Sequence, residues 1–167
     1  MVESLLCMEL KYLSFDIGDF ARGLTRRGRT LPHPFTTVTH LELIGVGKVD
    51  PHQVKAYFPA LTHLAITSLG DTRISRLRDV LDVFGDQLEV LIWCLWEFGM
   101  SDGSPSGPRV VPTVDFIAED DPRLVVLWYG IDVVRTWHEG VKGGLGIWRV
   151  ADEAVQARRA RAGIVDT

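Results

Sequence analysis

The sequence predicts an α/β fold: a short solenoid of parallel strands with helical crossovers, closed by a C-terminal helical cap. Three observations predict it: a short apolar pattern recurs along the first 130 residues, its copies are spaced regularly, and helical periodicity fills the intervals. The chain has 167 residues, of which 46% are hydrophobic and 24% charged. This is ordinary globular composition, in a chain long enough for a core.

The recurring pattern is an apolar residue, two variable positions, a leucine, one variable position and a large apolar residue. Its five copies centre on Leu13, Leu41, Leu64, Leu91 and Leu127. Their first three spacings, 28, 23 and 27 residues, lie in the range of leucine-rich repeats, whereas the fourth, 36, is lengthened by an insertion. Alternation around each leucine predicts a short strand, and the spacing predicts parallel pairing through a crossover.

The intervals between the copies carry helix signals. Asp50 is placed to cap a helix that has Pro51 at its first position. The next interval predicts a helix that ends at Gly85. Its apolar residues follow helical spacing: Ile74, Leu77, Val80, Leu81 and Phe84.

The predicted solenoid takes up residues 1–130, and residues 131–167 form a helical cap and tail. Glycine, serine and proline are concentrated in an insertion at 99–110, which predicts a surface loop before the fifth strand. Two helices are expected in the cap, the second from about Ile147 to Ala162. A solenoid needs such a cap because its last repeat has an uncovered apolar edge.

Several segments carry a further signal by their composition and order: 58–64, 88–91, 121–127, 137–140, 143–144 and 148–152. In these segments the sequence resembles the leucine-rich part of F-box-like proteins of mushroom-forming (basidiomycete) fungi, and the likeness spans about residues 36–163. It implies a protein-interaction module, of the kind that recognises substrates for a ubiquitin-ligase adaptor. Residues 1–35 depart from that family, because they contain a repeat strand where an F-box would stand. Binding to the adaptor is therefore not supported by this chain.

Two rows of side chains beside the central leucines are expected to face outward and to bind a protein partner. We assign protein binding to Tyr12, His40, Glu42, His63 and Trp128. Both rows become apolar toward the fifth strand, at Val90, Ile92 and Val126. Either the cap or the long loop covers that end, or it is an exposed patch that binds partners.

The function that the sequence favours is that of a non-enzymatic protein–protein interaction module with no cofactor and no metal. An alternative is a metal-dependent enzyme that uses His40, Glu42 and His63, because two histidines and a carboxylate on one face resemble iron sites. Another is a truncated fragment without retained function. The net charge of −4 argues against a nucleic-acid partner, and no apolar run is long enough to span a membrane. Two cysteines without a disulfide pattern predict a cytoplasmic or nuclear protein.

Overall fold

The computed structural model describes residues 10–16, 35–45, 50–68, 74–96, 109–110, 121–129 and 146–163. Within these residues the fold is α/β, with five strands in a parallel sheet, a sixth short antiparallel strand, and three α-helices of which the last is C-terminal. The chain divides into two compact units, Met1–Leu91 and Ile92–Thr167. In the described residues, no helix is long and apolar enough to cross a membrane.

The first unit contains strands β1 (Tyr12–Asp16), β2 (His40–Gly45) and β3 (His63–Ser68), followed in the sheet by the start of β4 (Val90–Trp96). β1 pairs with β2, and β2 with β3, both in parallel. The register aligns Leu13 with Leu41 and Leu41 with Leu64. The register expected from the central leucines is therefore confirmed, and Leu41 and Leu64 are fully buried.

The strands β2, β3 and β4 begin with the same backbone arrangement. The carbonyl of Lys11 accepts the amides of Thr39 and His40, at 3.0 Å each. One strand further, the carbonyl of Thr39 accepts the amides of Thr62 and His63, at 3.0 and 2.9 Å. The carbonyl of Thr62 in turn accepts the amides of residues 89 and 90. One carbonyl thus accepts two successive amides at each of these three steps, from β1 to β4.

The two crossovers that the structure describes, from β2 to β3 and from β3 to β4, are helical, as the sequence predicts. α1 (Pro51–Tyr57) begins after Asp50, whose carboxylate accepts the amides of His52 and Gln53. α2 (Ile74–Phe84) ends in a short 3₁₀ helix, Gly85–Gln87. Gly85 has φ 57°, in the left-handed region that favours glycine. The predicted N-terminal cap of α1 at Asp50 and the predicted end of α2 at Gly85 are both confirmed.

The two helices pack together and are joined by polar contacts. The ammonium of Lys55 donates to the carbonyl of Val83 at 2.7 Å, near the end of α2. The side-chain amide of Gln87 donates to the carbonyls of Pro59 and Leu61, at 2.9 and 3.0 Å. These bonds satisfy carbonyls that a helix end and a turn leave without backbone partners.

The second unit contains most of β4, the short strand β5 (Arg109–Val110), β6 (Leu124–Tyr129) and helix α3 (Gly146–Arg161). Within it the strand order is β4-β6-β5, and β5 is antiparallel to β6. α3 packs on β6 and β5 and buries Ile147, Ala151 and Val155, which recur every fourth residue. The predicted fifth strand and the helix expected from about Ile147 to Ala162 are thus confirmed.

The insertion at 99–110 was expected to be loop throughout, which is wrong at its end. Arg109 and Val110 pair with Trp128 and Leu127 and extend the sheet by one strand. Two residues are too few to show a strand period, so the sequence carries no signal for β5. Residues 99–108 and the first predicted cap helix lie outside the described residues.

Candidate functional site

Three rings form a column across the start of β1, β2 and β3. The centroids of Tyr12 and His40 lie 4.4 Å apart, with their planes tilted by 39°. The centroids of His40 and His63 lie 4.1 Å apart, and these two rings are nearly parallel, at 14°. Parallel strands with residues aligned in register place their side chains about 4.8 Å apart, so the pairing itself creates the column.

A threonine beside each histidine holds its ring. The hydroxyl of Thr39 lies 2.8 Å from Nδ1 of His40, and the hydroxyl of Thr62 lies 2.7 Å from Nδ1 of His63. Both hydroxyls also approach the carbonyl of the preceding strand, that of Lys11 or of Thr39, at 3.4 Å. The repeated Thr-His pair therefore links each ring to the backbone of its neighbouring strand.

Glu42 lies two residues after His40 on the same face of β2 and is buried, with 8% of its surface exposed. Its carboxylate accepts hydrogen bonds from the hydroxyls of Ser14, at 3.3 Å, and Thr67, at 3.4 Å. Ala65, directly opposite on β3, offers no polar atom, so the carboxylate reaches the next residue on that face. Burial raises the pKa of Glu42, and the two hydroxyl bonds oppose this effect only in part.

The electrostatics of the ring column favour neutral histidine. Burial, together with the positive charge that His63 would carry, lowers the pKa of His40 to about 4 from an ordinary value of 6.5. Two imidazolium rings stacked 4.1 Å apart would repel each other strongly. His40 is therefore uncharged at neutral pH.

The structure corrects the expectation that all of the assigned residues face solvent. Tyr12 is 50% exposed and His40 is half-buried, but Glu42 and His63 are each only 8% exposed. Tyr12 is also the one large hydrophobic side chain that is exposed among the residues described. Trp128 belongs to β6 in the second unit, and its side chain lies outside the described part of the chain.

The apolar end of the two predicted rows is buried. Val90 and Val126 are each 2% exposed, and Ile92 is fully buried. These values agree with the explanation that this end is covered, and they disagree with an exposed patch that binds partners. Parallel strands covered on both faces have nearly continuous apolar sequences, as β4 and β6 do.

The histidines and Glu42 do not form a metal centre in this arrangement. Two nearly parallel stacked imidazoles direct their in-plane lone pairs side by side, so the lone pairs do not converge on one ion. The Nδ1 atoms lie against threonine hydroxyls, and the carboxylate is bound by Ser14 and Thr67. Across the described ranges, no group of three or more His, Cys, Asp or Glu side chains is placed to hold a metal.

Sequence reasoning missed the polar residues that support the column. Thr39 and Thr62 precede the two histidines, and this repeated dipeptide was the available signal. Ser14 and Thr67 carry no comparable signal, because their bonds to Glu42 depend on strand register and on the small Ala65.

In comparisons with known proteins, no family model, no curated protein and no solved structure matches this chain.

Proposed function

We propose that the chain is a non-enzymatic protein–protein interaction module built on a short leucine-rich-repeat-like solenoid. The observation that carries this proposal is the ring column, because its exposed member, Tyr12, continues a rigid stack fixed by hydrogen bonds within the sheet. Aromatic side chains held in place lose little entropy on binding and are enriched at energetic centres of interfaces.

The solenoid is supported by the repetition of geometry from strand to strand. Central leucines align in register, and the start of each strand repeats one carbonyl that accepts two amides. Helices separate β2 from β3 and β3 from β4, the two crossovers within the described residues, as in α/β repeats.

The residues assigned to partner binding divide by access. Tyr12 and His40 can contact a partner directly, whereas Glu42 and His63 support them from within the sheet. Trp128 is a second candidate contact on β6. The likeness to F-box-like proteins of mushroom-forming fungi favours a role in substrate recognition for ubiquitin ligation, and this finer proposal depends on that likeness alone.

The proposal is tested by photo-crosslinking with the full chain. A photoreactive amino acid replaces Tyr12 in one variant and His52, an exposed ring on α1, in the matched control. Each purified protein is irradiated in an extract of a mushroom-forming fungus. We expect discrete protein adducts from position 12 that are absent from position 52 and suppressed by excess unlabelled chain. Equal adduct patterns from the two positions would overturn the assignment.

A further inference from the structure

Among the strands that the structure describes, β1 has one open edge. β1 stands first in the strand order and pairs with β2, and no described strand lies along its other edge. The carbonyl of Lys11 points toward β2, where it accepts the amide of His40. Successive residues of a strand direct their backbone groups to opposite edges, so Tyr12 and Ser14 direct theirs to the open edge. An open edge with free amides and carbonyls is a template for another strand.

The ring column ends at this same edge. One side of the Tyr12 ring lies against His40, and half of the side chain is exposed to solvent. The next ring along the column would therefore sit beyond β1, opposite Tyr12. Lys11, also exposed, precedes Tyr12 and places a positive charge at the start of the edge.

We propose that this edge binds an extended segment of a partner protein, which adds to the sheet as a parallel strand. Its carbonyl accepts the amides of Lys11 and Tyr12, as the carbonyl of Lys11 accepts those of Thr39 and His40. A planar side chain stacks on Tyr12, and an acidic residue lies beside Lys11. This binding mode rests on the proposed function and specifies it, since addition of a strand provides backbone affinity while the side-chain pairs provide specificity.

The repeated geometry favours a partner segment over a second copy of this chain. Two copies joined edge to edge around a twofold axis would pair their β1 strands antiparallel. That arrangement loses the step in which one carbonyl accepts two amides, which recurs at the starts of β2, β3 and β4. The edge is only five residues long, so the expected complex is weak and transient.

The probe is a synthetic peptide, Thr-Glu-Trp-Val-Thr-Val-Thr, with both ends blocked. In the parallel register its glutamate lies opposite Lys11 and its tryptophan opposite Tyr12. Three matched probes accompany it: the same peptide with alanine for tryptophan, the same with lysine for glutamate, and the reversed sequence. Each is titrated into the isotope-labelled full chain, and backbone amide shifts are followed by NMR.

We expect the tryptophan peptide to shift the amides of Tyr12 and Ser14 first. The alanine peptide should bind roughly three- to tenfold more weakly, which is the usual effect of one aromatic pair. Tyr12→Ala should cause a similar loss, and His52→Ala no loss. Tyr12→Pro removes the amide that faces the open edge and should abolish binding. Edge strands tolerate proline at such a position. If that variant fails to fold, the peptide comparisons still decide the matter.

Three outcomes overturn the inference. One is that no peptide binds up to its solubility limit; another is that shifts appear on the opposite side of the sheet. The third is a sedimenting dimer that Tyr12→Ala dissociates, since a second copy would then occupy the edge. If peptides fail but position 12 still crosslinks to a protein, strand addition is wrong and the proposed function stands. If position 12 crosslinks to nothing, the proposed function itself fails.

Discussion

His40 makes the stability of the protein depend on pH. Its pKa is about 4 in the folded chain and near 6.5 when unfolded, because burial and His63 disfavour its charge. Between these values the unfolded chain binds a proton that the folded chain does not. The free energy of unfolding should therefore fall as the pH falls from about 6.5 toward 4.

The variant His40→Phe keeps a ring in the column but does not titrate. Between pH 7 and pH 4, we expect wild type to lose about 1–2 kcal/mol more than the variant, since water screens a half-exposed ring and reduces the effect of the full shift. Urea unfolding at several pH values measures this difference. Parallel pH profiles for the two proteins would show that His40 is not the group responsible.

Glu42 should lower stability as its carboxyl ionises. Its folded pKa is raised by burial, so the folded chain retains a proton that the unfolded chain releases, and stability falls as the pH rises through this range. Glu42→Gln should therefore be more stable than wild type at pH 7.5, with the advantage vanishing in acid where both side chains are neutral. Thermal melting across pH tests this. Glu89→Gln, at an exposed glutamate, serves as the control and should show no such trend.

At the scale of single elements, the sequence predicted those helix ends that depend on neighbouring residues. The Asp50 cap, the Pro51 start and the stop at Gly85 depend on residues close in sequence, and all three are confirmed. β5 was missed because two residues become a strand only by pairing with β6, more than ten residues away along the chain. Pairing between distant segments leaves no periodic trace in so short a stretch.

The cap of α1 offers a direct test at this scale. The carboxylate of Asp50 accepts two amides in the first turn, which otherwise lack partners. Asp50→Ala should lower the free energy of unfolding by about 1 kcal/mol, whereas Asp50→Asn, an equally good cap, should have little effect. Denaturant unfolding compares the two variants. Equal losses would indicate that the negative charge of Asp50, and not its capping bonds, supports the helix.

At the scale of the whole molecule, the repeat predicted which residues come together but not which are covered. The column of Tyr12, His40 and His63 followed from matching positions in three copies. The burial of Glu42 and His63 did not follow, because period-two alternation assigns a residue to a face without indicating what packs on that face. Continuous apolar sequence in β4 and β6 was the better guide to covered surface.

Stacked repeats make the cost of losing a central leucine depend on its position in the sheet. Leu64 is fully buried in β3, which lies between β2 and β4 in the strand order. Leu13 is half-buried in β1, the first strand of the described sheet. Leu64→Ala should lower the free energy of unfolding by about 2–5 kcal/mol, and Leu13→Ala by about 1 kcal/mol, because less surface leaves water at the edge. Leu41→Ala, also fully buried, should resemble Leu64→Ala. Urea unfolding with unchanged denaturant dependence would attribute each loss to the folded state. Equal costs at Leu13 and Leu64 would contradict a stack in which each repeat is stabilised by its neighbours, since among the described strands β1 has one neighbour and β3 has two.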